Sequence, residues 1–384
     1  MAARRLRIAI VAEDVNRRGG QERVVAELCR CWADRHDLEL FCFTATGLPE
    51  DRMKIRRLWL PLRLYTFQIA WIVVLTWLLI RPRRYDVVLS QGGNCLVQNF
   101  VLAHTCHARR RWEMMRAPEP VSRLRRWLIM ARNRWATALE RRAVRRCAGR
   151  LLAVSPSLAR MLSEEYAIPP GQILSARNGV DHDLFSPQQR EVWREPIRRE
   201  LGLAEDDCAL IFVGGLWLEK GLVQTLEALA AMREPAQLLV LGRGDEKAFG
   251  ELAESLGIRE RVHFLGHREG PERYLTAADC FAFPSPIEGL ALATVEAAAS
   301  GLPLVIARLA DTEEFFEDGV SAFLVGPSGE EMGERLDRLA RDPELRRRLG
   351  AAARAAVASL SWDRQAKVIE QFFLDHAPES GRPR

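Results

Sequence analysis

Two glutamates, Glu288 and Glu296, lie eight positions apart in the segment PSPIEGLALATVE, and a small, glycine-bearing turn separates them. The preceding run CFAFPS predicts a strand that ends at Pro284, and ATVEAAASG predicts a helix that ends at Gly301. Glu288 is therefore expected in the loop after the strand, and Glu296 about two turns into the helix. Carboxylates in such positions can accept hydrogen bonds from the hydroxyl groups of a ligand.

The turn between the two glutamates supplies a different kind of group, the backbone amide. Its residues are Gly289, Leu290, Ala291 and Leu292, and they lead directly into the predicted helix. Exposed N–H groups and the positive end of a helix favour an anion such as a diphosphate. In a nucleotide sugar, the ribose and the hexose lie on opposite sides of the diphosphate, so each glutamate could contact one of them. Taken alone, the pair has a simpler interpretation, in which Glu288 is an ordinary loop residue and Glu296 an ordinary residue on a helix surface, and neither binds a ligand.

Three other sets of residues are weaker candidates. Gly19 and Gly20 follow the first predicted strand at the start of a helix, where they could admit a phosphate or serve only the turn. His104 follows a short apolar run, and a site residue or an ordinary hydrogen-bonded histidine fits that position equally well. Gly242 and Gly244 in LVLGRGDEKAFG lack the third glycine of a dinucleotide fingerprint, which favours a substrate-facing turn.

One pattern resembles a metal site. Asp181-His182-Asp183 has the form of a metal-binding DxD motif, but it follows Asn178-Gly179, where aspartate favours turns and helix caps. The eight cysteines are scattered, without a CxxC pair or a metal-like Cys/His spacing. We therefore expect a site that works without a metal ion.

The elements that would position these residues alternate along the chain. Nearly continuous apolar runs, each followed by polar or glycine residues and an amphipathic helix, are typical of parallel strands buried on both faces. The runs are RIAIVAE, LELFCFT, DVVLSQ and RLLAVS, and then CALIFVGG, AQLLVLG, RVHFLG, CFAFPS and LPLVIA. They predict an α/β protein with two Rossmann-like doubly wound domains. We place these domains at residues 1–185 and 186–361, and expect a C-terminal helix and tail at 362–384 that packs back toward the first domain.

Charge is divided unevenly between the two halves. Residues 1–186 carry 32 Lys and Arg against 17 Asp and Glu, a net charge of +15, whereas residues 187–384 carry 24 against 34, a net charge of −10. The excess is sharpest between Arg109 and Arg150, where arginines alternate with Trp112, Trp127 and Trp135. Such a surface attracts polyanions, either nucleic acid or anionic lipid headgroups.

The segment from Leu58 to Ile80, LWLPLRLYTFQIAWIVVLTWLLI, is unusually apolar. A membrane span, a buried helix and a helix in the membrane interface are all open interpretations. A span is disfavoured because the strand DVVLSQ follows within a few residues and has to pair with the earlier strands. We prefer the interfacial helix, since Trp71 and Trp77 would lie at headgroup level and the arginines from Arg81 onward would attract anionic lipid.

Several segments together resemble the retaining glycosyltransferases of family 4. They are PSPIEGLALATVEAAASGLPLV, which is similar to the family's region of two glutamates with seven residues between them, VGGLWLEKGL, HFLGH and SARNGVDHDLF. The resemblance extends over nearly the whole chain, and it implies the GT-B fold, in which two Rossmann-like domains face a cleft. Within the family, HTCHARRRWEMM and the arginine-rich stretch after it look most like the lipopolysaccharide core glucosyltransferases.

The resemblance implies roles for the residues of the second half. Glu296 would hold the donor ribose, Glu288 would contact the transferred sugar, and Lys220 would neutralise the phosphates. Amides that would meet the diphosphate belong to Gly289, Leu290, Ala291 and Leu292. Residues near Arg268 would lie by the base.

In the first half, the resemblance places Gly20 near the diphosphate and the acceptor, and His104 at the family's active-site histidine position. The chain also departs from the family's usual pattern. Gly215 stands where many relatives have an arginine as a second cation, and Ala291 replaces a common glycine. The first departure puts one phosphate contact in doubt.

These implications lead to an expected activity. A hexose would move, with retention, from a nucleotide sugar such as UDP-glucose to a lipid-linked or lipopolysaccharide core acceptor. Lys220 and aligned amides would stabilise the leaving diphosphate, so neither a metal nor a cofactor other than the donor is expected. The start MAARRLRIAIVAEDV lacks a signal-peptide cleavage site, so we expect a cytoplasmic protein, peripheral on the inner face of the cytoplasmic membrane.

Two other classes of protein remain open. A nucleic-acid-binding protein would explain the basic half, but it gives the two glutamates and Lys220 no purpose, so no nucleic-acid partner is expected. A nucleotide-sugar epimerase of the same fold would use the nucleotide site, but it needs neither the cationic surface nor the apolar segment. The sequence does not separate UDP-glucose from GDP-mannose as the donor.

Overall fold

A computed structural model of the chain describes residues 4–17, 20–60, 65–109, 123–147, 149–169, 171–286, 288 and 291–377, apart from the side chains of residues 65–67 and 123–133. The chain divides into two compact units, Met1–Asn178 with Trp362–Arg384 (unit 1) and Gly179–Ser361 (unit 2). The division falls a few residues before the expected boundary at 185/186, because Val180 already pairs within unit 2, where its N–H donates to the Leu360 carbonyl at 2.8 Å.

Unit 1 is built on a parallel sheet whose apolar strands are buried on both faces. Its strands are β1 (Arg7–Val11), β2 (Asp14–Val15), β3 (Asp37–Cys42), β4 (Thr44–Ala45), β5 (Lys54–Arg57), β6 (Val87–Gln91), β7 (Phe100–Ala103), β8 (Leu151–Ala153) and β9 (Ile173–Ser175). The main sheet has the order β5-β3-β1-β6-β7-β8-β9, and β2 pairs separately with β4. Helices of unit 1 cover Gly20–Trp32, Tyr65–Leu79, Arg123–Arg146, Pro156–Tyr166 and Trp362–His376, and a 3₁₀ turn covers Pro82–Arg84.

The last helix of the chain, Trp362–His376, completes the core of unit 1. The Phe373 ring lies 5.5 Å from the ring of Trp32 and 4.8 Å from that of Phe100. Trp32 also donates its indole N–H to the Ala366 carbonyl at 3.2 Å. The apolar stripe of this last helix is therefore buried in unit 1, although residues 179–361, which precede the helix in the sequence, form unit 2.

Unit 2 has a second parallel sheet. Its strands are β10 (Cys208–Val213), β11 (Ala236–Leu241), β12 (Val262–Gly266), β13 (Cys280–Phe283), β14 (Leu304–Ala307) and β15 (Phe323–Val325), in the order β12-β11-β10-β13-β14-β15. Its helices cover Gln189–Glu200, Leu222–Ala231, Glu246–Ser255, Pro271–Ala277, Leu292–Ala299, Ala310–Phe315, Gly329–Arg341 and Pro343–Val357, and a 3₁₀ turn covers Arg259–Arg261.

The prediction of two doubly wound α/β domains is confirmed, and every apolar run predicted as a strand contains one. Strands β2, β5, β7, β9 and β15 were not predicted, and β4 was not separated from β3; β7 is the short apolar run before His104. Strand β5 has the sequence KIRR and lies at the sheet edge with its arginines exposed, so it lacks an apolar pattern. Strands β9 and β15 are only three residues long, too short to establish a period.

The apolar segment 58–80 contains the helix Tyr65–Leu79, which packs one stripe of side chains onto the unit 1 core. Ile69, Ile72, Val73 and Thr76 are buried along this stripe. Within the described part of the chain, we find no helix with the length and apolar character needed to cross a membrane.

Candidate active site

The topology of unit 2 defines where a ligand would bind. From β10 the chain adds β11 and β12 on one side of the sheet, and then β13, β14 and β15 on the other. In a doubly wound sheet, the carboxyl ends of the two strands that flank such a reversal form a crevice, and ligands bind there. The loop Gly214–Lys220 follows β10, and Pro284–Pro286 and Glu288 follow β13, so both sets of residues reach the crevice.

Lys220 and Glu288 meet at this crevice. The Lys220 ammonium group forms an ion pair with the Glu288 carboxylate, and the same carboxylate oxygen accepts a hydrogen bond from the Ser285 hydroxyl at 2.9 Å. The side chains of Lys220 and Glu288 are 28% and 15% exposed, so the pair lies close to the surface and a ligand can reach it. Thus the structure brings together a cation and a carboxylate that are 68 positions apart in the chain.

A glycine makes this meeting possible. Gly221 has a left-handed φ of +85°, and a Cβ atom added to it would lie 2.6 Å from the Pro284 carbonyl oxygen. A side chain there would combine backbone strain with a steric clash. Gly221 therefore allows the backbone after Lys220 to approach the end of β13 closely enough for the ion pair to form.

Trp217 holds the rest of the loop in place, and sequence reasoning missed it. Its ring is buried, stacks on Phe264 at 5.3 Å, and donates its N–H to the Gly214 carbonyl at 3.1 Å. A Cβ atom at Gly244 would lie 2.1 Å from this ring, so the glycine is required for packing. Packing therefore explains Gly244, and the substrate-facing turn stays a prediction.

Glu296 lies in the second turn of the helix Leu292–Ala299 and is only 5% exposed. Its backbone carbonyl accepts hydrogen bonds from the Ser300 N–H at 3.0 Å and the Ser300 hydroxyl at 2.9 Å. Ala291 precedes the helix in an extended conformation, and Leu292 is its first residue. Gly289 and Leu290 lie outside the described residues, so the expected amide site at these positions stays a prediction.

A small pocket lies behind the Lys220–Glu288 pair. Ser285, Glu288 and Thr294 contribute to its lining, and its volume admits about one water molecule. A sugar cannot enter it.

Two further predicted residues lie along the same edge of the unit 2 sheet. Arg268 follows β12, is exposed, and donates its Nε–H to the Leu265 carbonyl at 3.1 Å. Gly215 follows β10, and a Cβ atom there would have only the Arg243 carbonyl oxygen nearby, at 3.7 Å. A Cβ atom would thus be accepted at position 215, so contact at this first side-chain atom does not require the glycine.

The sheet of unit 1 reverses in the same manner. Here β1 is flanked by β3 and β6, and the carboxyl ends of β1 and β6 form the crevice. Gly20 begins the helix after β1, and a Cβ atom added to it would meet nothing within 4 Å. The open space above Gly20 is compatible with a ligand at this helix end, and its partner Gly19 lies outside the described residues.

His104 lies at the carboxyl end of β7, beside β6. Its Nε2 atom is 3.3 Å from the side-chain nitrogen of Gln91, which also donates to the Gln21 carbonyl at 3.0 Å. A nitrogen that accepts from an amide cannot carry a proton, so the neutral ring has its proton on Nδ1. Burial lowers the pKa of His104 to about 4, which keeps the ring neutral near pH 7.

Glu13 is a second residue that sequence reasoning missed. It follows β1, and its carboxyl group accepts a hydrogen bond from the Asn94 amide at 2.9 Å. Burial, and then the nearby charges of Asp14 and Glu22, raise the pKa of Glu13 to about 7, although the Asn94 bond opposes this. A glutamate directly after the first strand is the one sequence signal that could have drawn attention to it.

Two remaining sequence candidates can be placed only in part. The Asp181 carboxylate accepts hydrogen bonds from the N–H groups of Asp183 and Leu184 at 3.2 and 3.1 Å, as an aspartate in a turn does. The described residues contain no group of three His, Cys, Asp or Glu side chains that could hold a metal ion. Most of the arginine-rich surface between Arg109 and Arg150 lies outside the described side chains, including Trp112 and Trp127.

Two family models match this chain. Residues 18–184 match "Glycosyltransferase Family 4", and residues 194–356 match "Glycosyl transferases group 1". The first match covers most of unit 1, and the second covers the strands and loops that carry Lys220, Glu288 and Glu296.

Curated relatives share part of the chain. The D-inositol 3-phosphate glycosyltransferase of Actinosynnema mirum is 34% identical over 233 residues, which are 56% of this chain and 55% of the relative. The protein of the same name from Corynebacterium diphtheriae is 32% identical over 242 residues, 59% of this chain and 56% of the relative. The matching region thus spans about half the length of these relatives.

Solved structures resemble the whole chain. WaaG, a glycosyltransferase involved in lipopolysaccharide biosynthesis, has a TM-score of 0.79 at 21% identity, with 94% of this chain and 99% of WaaG covered. HepE from Anabaena, in complex with UDP-glucose, has a TM-score of 0.75 at 20% identity, with 96% of this chain and all of HepE covered. At these identities the likeness shows the fold, which is GT-B.

Proposed function

This chain is a member of the family 4 and group 1 glycosyltransferases, and on that basis we propose that it transfers a hexose from a UDP-sugar. The preferred donor is UDP-glucose, and the preferred acceptor is lipid-linked or a lipopolysaccharide core, reached from the cytoplasmic membrane face. We further propose that the anomeric configuration is retained. The observation that carries the proposal is the contact of Lys220 with Glu288 at the crevice of unit 2.

The Lys220–Glu288 pair suits a nucleotide sugar because its two members suit different parts of the donor. A diphosphate brings negative charge that competes with Glu288 for the Lys220 ammonium group. Once Lys220 turns to the phosphates, the Glu288 carboxylate can accept a hydrogen bond from a hexose hydroxyl, and Ser285 still orients it. The donor would thus replace the Lys220–Glu288 ion pair with two interactions, one between Lys220 and the phosphates and one between Glu288 and the hexose.

Charge on the leaving nucleoside diphosphate increases as the bond to the sugar breaks. The Lys220 ammonium group would stabilise this charge, since it lies beside Glu288 at the crevice. Backbone amides of the turn from Gly289 to Leu292 would stabilise it further. Gly215 provides no second cation, so we expect the rate to depend strongly on Lys220. We propose that no divalent metal takes part, and that Glu296 binds the ribose and Arg268 lies by the base.

Two kinds of observation support the proposed donor and acceptor: the names of similar proteins and the charge of the first half of the chain. HepE binds UDP-glucose, and WaaG takes part in lipopolysaccharide biosynthesis, as their names record. The net charge of +15 on residues 1–186 favours a negatively charged acceptor or surface. A phosphorylated cyclitol is a second candidate acceptor, because relatives at 34% and 32% identity are D-inositol 3-phosphate glycosyltransferases.

Calorimetric titration of the purified chain with UDP, GDP and ADP, each in EDTA, tests the donor site. We expect UDP to bind selectively in EDTA, and binding to be lost or greatly weakened in Glu296→Ala. Selective binding of GDP would change the donor to a GDP-sugar such as GDP-mannose. The absence of binding by all three nucleotides would reject the donor site.

Product analysis tests the transfer itself. Radiolabelled UDP-glucose is incubated with a bacterial lipid and lipopolysaccharide extract, with inositol phosphate, or without any acceptor. Label in the extract supports the preferred acceptor, and label in inositol phosphate supports the second candidate. Interconversion of free nucleotide sugars without an acceptor would show an epimerase instead. The proton coupling constant at the new glycosidic bond then reports whether configuration is retained.

A further inference from the structure

The helix Tyr65–Leu79 presents apolar side chains to solvent as well as to the core. Its sequence contains no charged residue. Val74 and Leu78 lie opposite the buried stripe and are 46% and 62% exposed, and Trp77 and Leu79 lie on its two flanks and are 57% and 50% exposed. A surface helix of a soluble protein ordinarily turns polar residues outward, so this outer side requires an explanation.

A fifth apolar side chain extends the same surface. The Trp71 indole N–H donates to the Trp59 carbonyl at 2.7 Å, which ties the segment before the helix to its side. The Trp59 side chain is 73% exposed. We name Trp59, Val74, Trp77, Leu78 and Leu79 the apolar face. It holds half of the ten large apolar side chains that are exposed in the described part of the chain.

Three arginines border the apolar face. Arg81, Arg83 and Arg84 follow the helix in and beside the 3₁₀ turn Pro82–Arg84, and all three are exposed. Other arginines of unit 1 are paired, such as Arg52 with Asp34 at 3.0 Å and Arg57 with Glu50 at 2.6 Å. No ion pair among the described residues involves Arg81, Arg83 or Arg84, so their charge is available to an external anion.

We propose that the apolar face, with its arginine border, is the surface by which this protein binds an anionic phospholipid bilayer. Trp59 and Trp77 would lie at headgroup depth, Val74 and Leu78 would enter the acyl boundary, and the arginines would contact lipid phosphates. The proposal rests on the proposed function in one respect: a lipid-linked acceptor has to be reached at a membrane. It assigns membrane binding to this helix instead of the arginine-rich segment that begins at Arg109.

The three arginines beside the apolar face argue against a contact between two copies of this chain. A symmetric contact between two copies would bring the same surface patch together on both sides, with three unpaired arginines on each. Like charges at such a contact are unfavourable. A bilayer presents phosphates around an apolar interior, which complements both parts of this surface.

The test is co-sedimentation of the full chain with vesicles of phosphatidylcholine, either alone or mixed with phosphatidylglycerol. Trp77→Gln combined with Leu78→Gln is expected to lower the partition coefficient on mixed vesicles about tenfold or more. Arg81→Gln with Arg83→Gln and Arg84→Gln should remove the preference for phosphatidylglycerol and the dependence on salt. Val192→Gln with Val320→Gln is the matched control, because these side chains are 57% and 50% exposed in unit 2.

Unchanged vesicle binding by the Trp77/Leu78 variant would overturn the proposal, as would a loss of binding only when arginines from Arg109 to Arg126 are replaced. A dimer in analytical ultracentrifugation that this variant dissociates, without vesicle binding by the parent, would overturn it too. UDP binding by each variant is measured in parallel, and it reports folding. Vesicle binding without UDP binding by the parent would reject the proposed donor site and leave the lipid surface standing.

Discussion

The two units reverse their sheets beside the first strand in the same way, but they hold the carboxyl group at that crevice differently. In unit 2, Glu288 is paired with Lys220 and accepts a hydrogen bond from Ser285. In unit 1, Glu13 has the neutral amide of Asn94 as its partner and Asp14 nearby, and its pKa is raised to about 7. The same topology thus gives a charged site in one unit and a nearly neutral one in the other. What a crevice can bind is therefore decided by how deeply its carboxyl group is buried and by the charges around it.

The largest expected effect is on Lys220. We expect Lys220→Ala to lower kcat by about a thousandfold or more, because Lys220 is the cation that contacts Glu288 at the crevice and Gly215 supplies no charge beside it. The measurement is UDP release from UDP-glucose with acceptor present, together with circular dichroism to show that the fold is intact. Lys247→Ala is the control, since Lys247 is an exposed lysine of the same unit. A rate equal to that of the parent would remove Lys220 from the site.

The second prediction concerns nucleotide affinity. Glu296→Ala should raise the Kd for UDP about tenfold to a hundredfold, which is the loss of a hydrogen bond to a charged group. Titration calorimetry measures this directly. Glu251→Ala, on an exposed side chain of the helix Glu246–Ser255, should leave the Kd unchanged. If UDP binds both variants equally well, the ribose is held by another group.

A third variant tests whether the close approach at Gly221 builds the charged crevice. Gly221→Ala and Gly257→Ala both place a side chain at a left-handed φ, +85° and +69°, and each should lower stability by about 1 kcal/mol through backbone strain, with a further loss from the clash at position 221. Only position 221 has the Pro284 carbonyl oxygen in the way, at 2.6 Å, whereas position 257 has nothing within 4 Å. We therefore expect about a tenfold loss of kcat for Gly221→Ala alone. Equal kcat in both variants would show that Lys220 reaches its position without this approach.

For the neutral crevice, the prediction is a dependence of stability on pH. The folded-state pKa of Glu13, about 7, lies above its ordinary value of 4.5, so the folded state binds more protons between these values. The free energy of unfolding should then fall as pH rises through this window, by about 1 to 2 kcal/mol after allowance for partial solvation. Glu13→Gln should remove this decrease.

The free energies of unfolding of the parent and of Glu13→Gln are measured in urea at a pH below 5 and again near 8. The effect is the change with pH in the difference between the two free energies. Glu22→Gln is the control, because Glu22 contributes only a minor part of the shift. A difference between parent and Glu13→Gln that stays constant with pH would show that Glu13 is ionised in the fold like an exposed carboxylate.

Much of the fold could be predicted from sequence, because a strand buried on both faces leaves a continuous apolar run, as in CALIFVGG and LPLVIA. The position of Glu288 after β13 and of Glu296 in the next helix followed from the same boundaries. The Lys220–Glu288 contact could not, since it depends on the strand order and on the backbone approach at Gly221. Glu13 and Trp217 were missed for a related reason. The pKa of Glu13 is set mainly by its burial in the fold, and its partner Asn94 is 81 positions away, whereas Trp217 is positioned by its stacking on Phe264.

The smallest expected effect completes the comparison at the crevice of unit 1. Burial lowers the pKa of His104 to about 4, and Gln91 supplies a donor to its Nε2 atom, so the ring should stay neutral throughout the window in which Glu13 titrates. The imidazole proton signal of His104, assigned by its loss in His104→Asn, should not shift between about pH 5.5 and 8. In Gln91→Ala it should begin to titrate at a higher pH, because the amide no longer favours the unprotonated nitrogen. A signal that titrates near pH 6.5 in the parent would mean that this crevice carries a positive charge, and the contrast with unit 2 would then be one of sign rather than of neutrality.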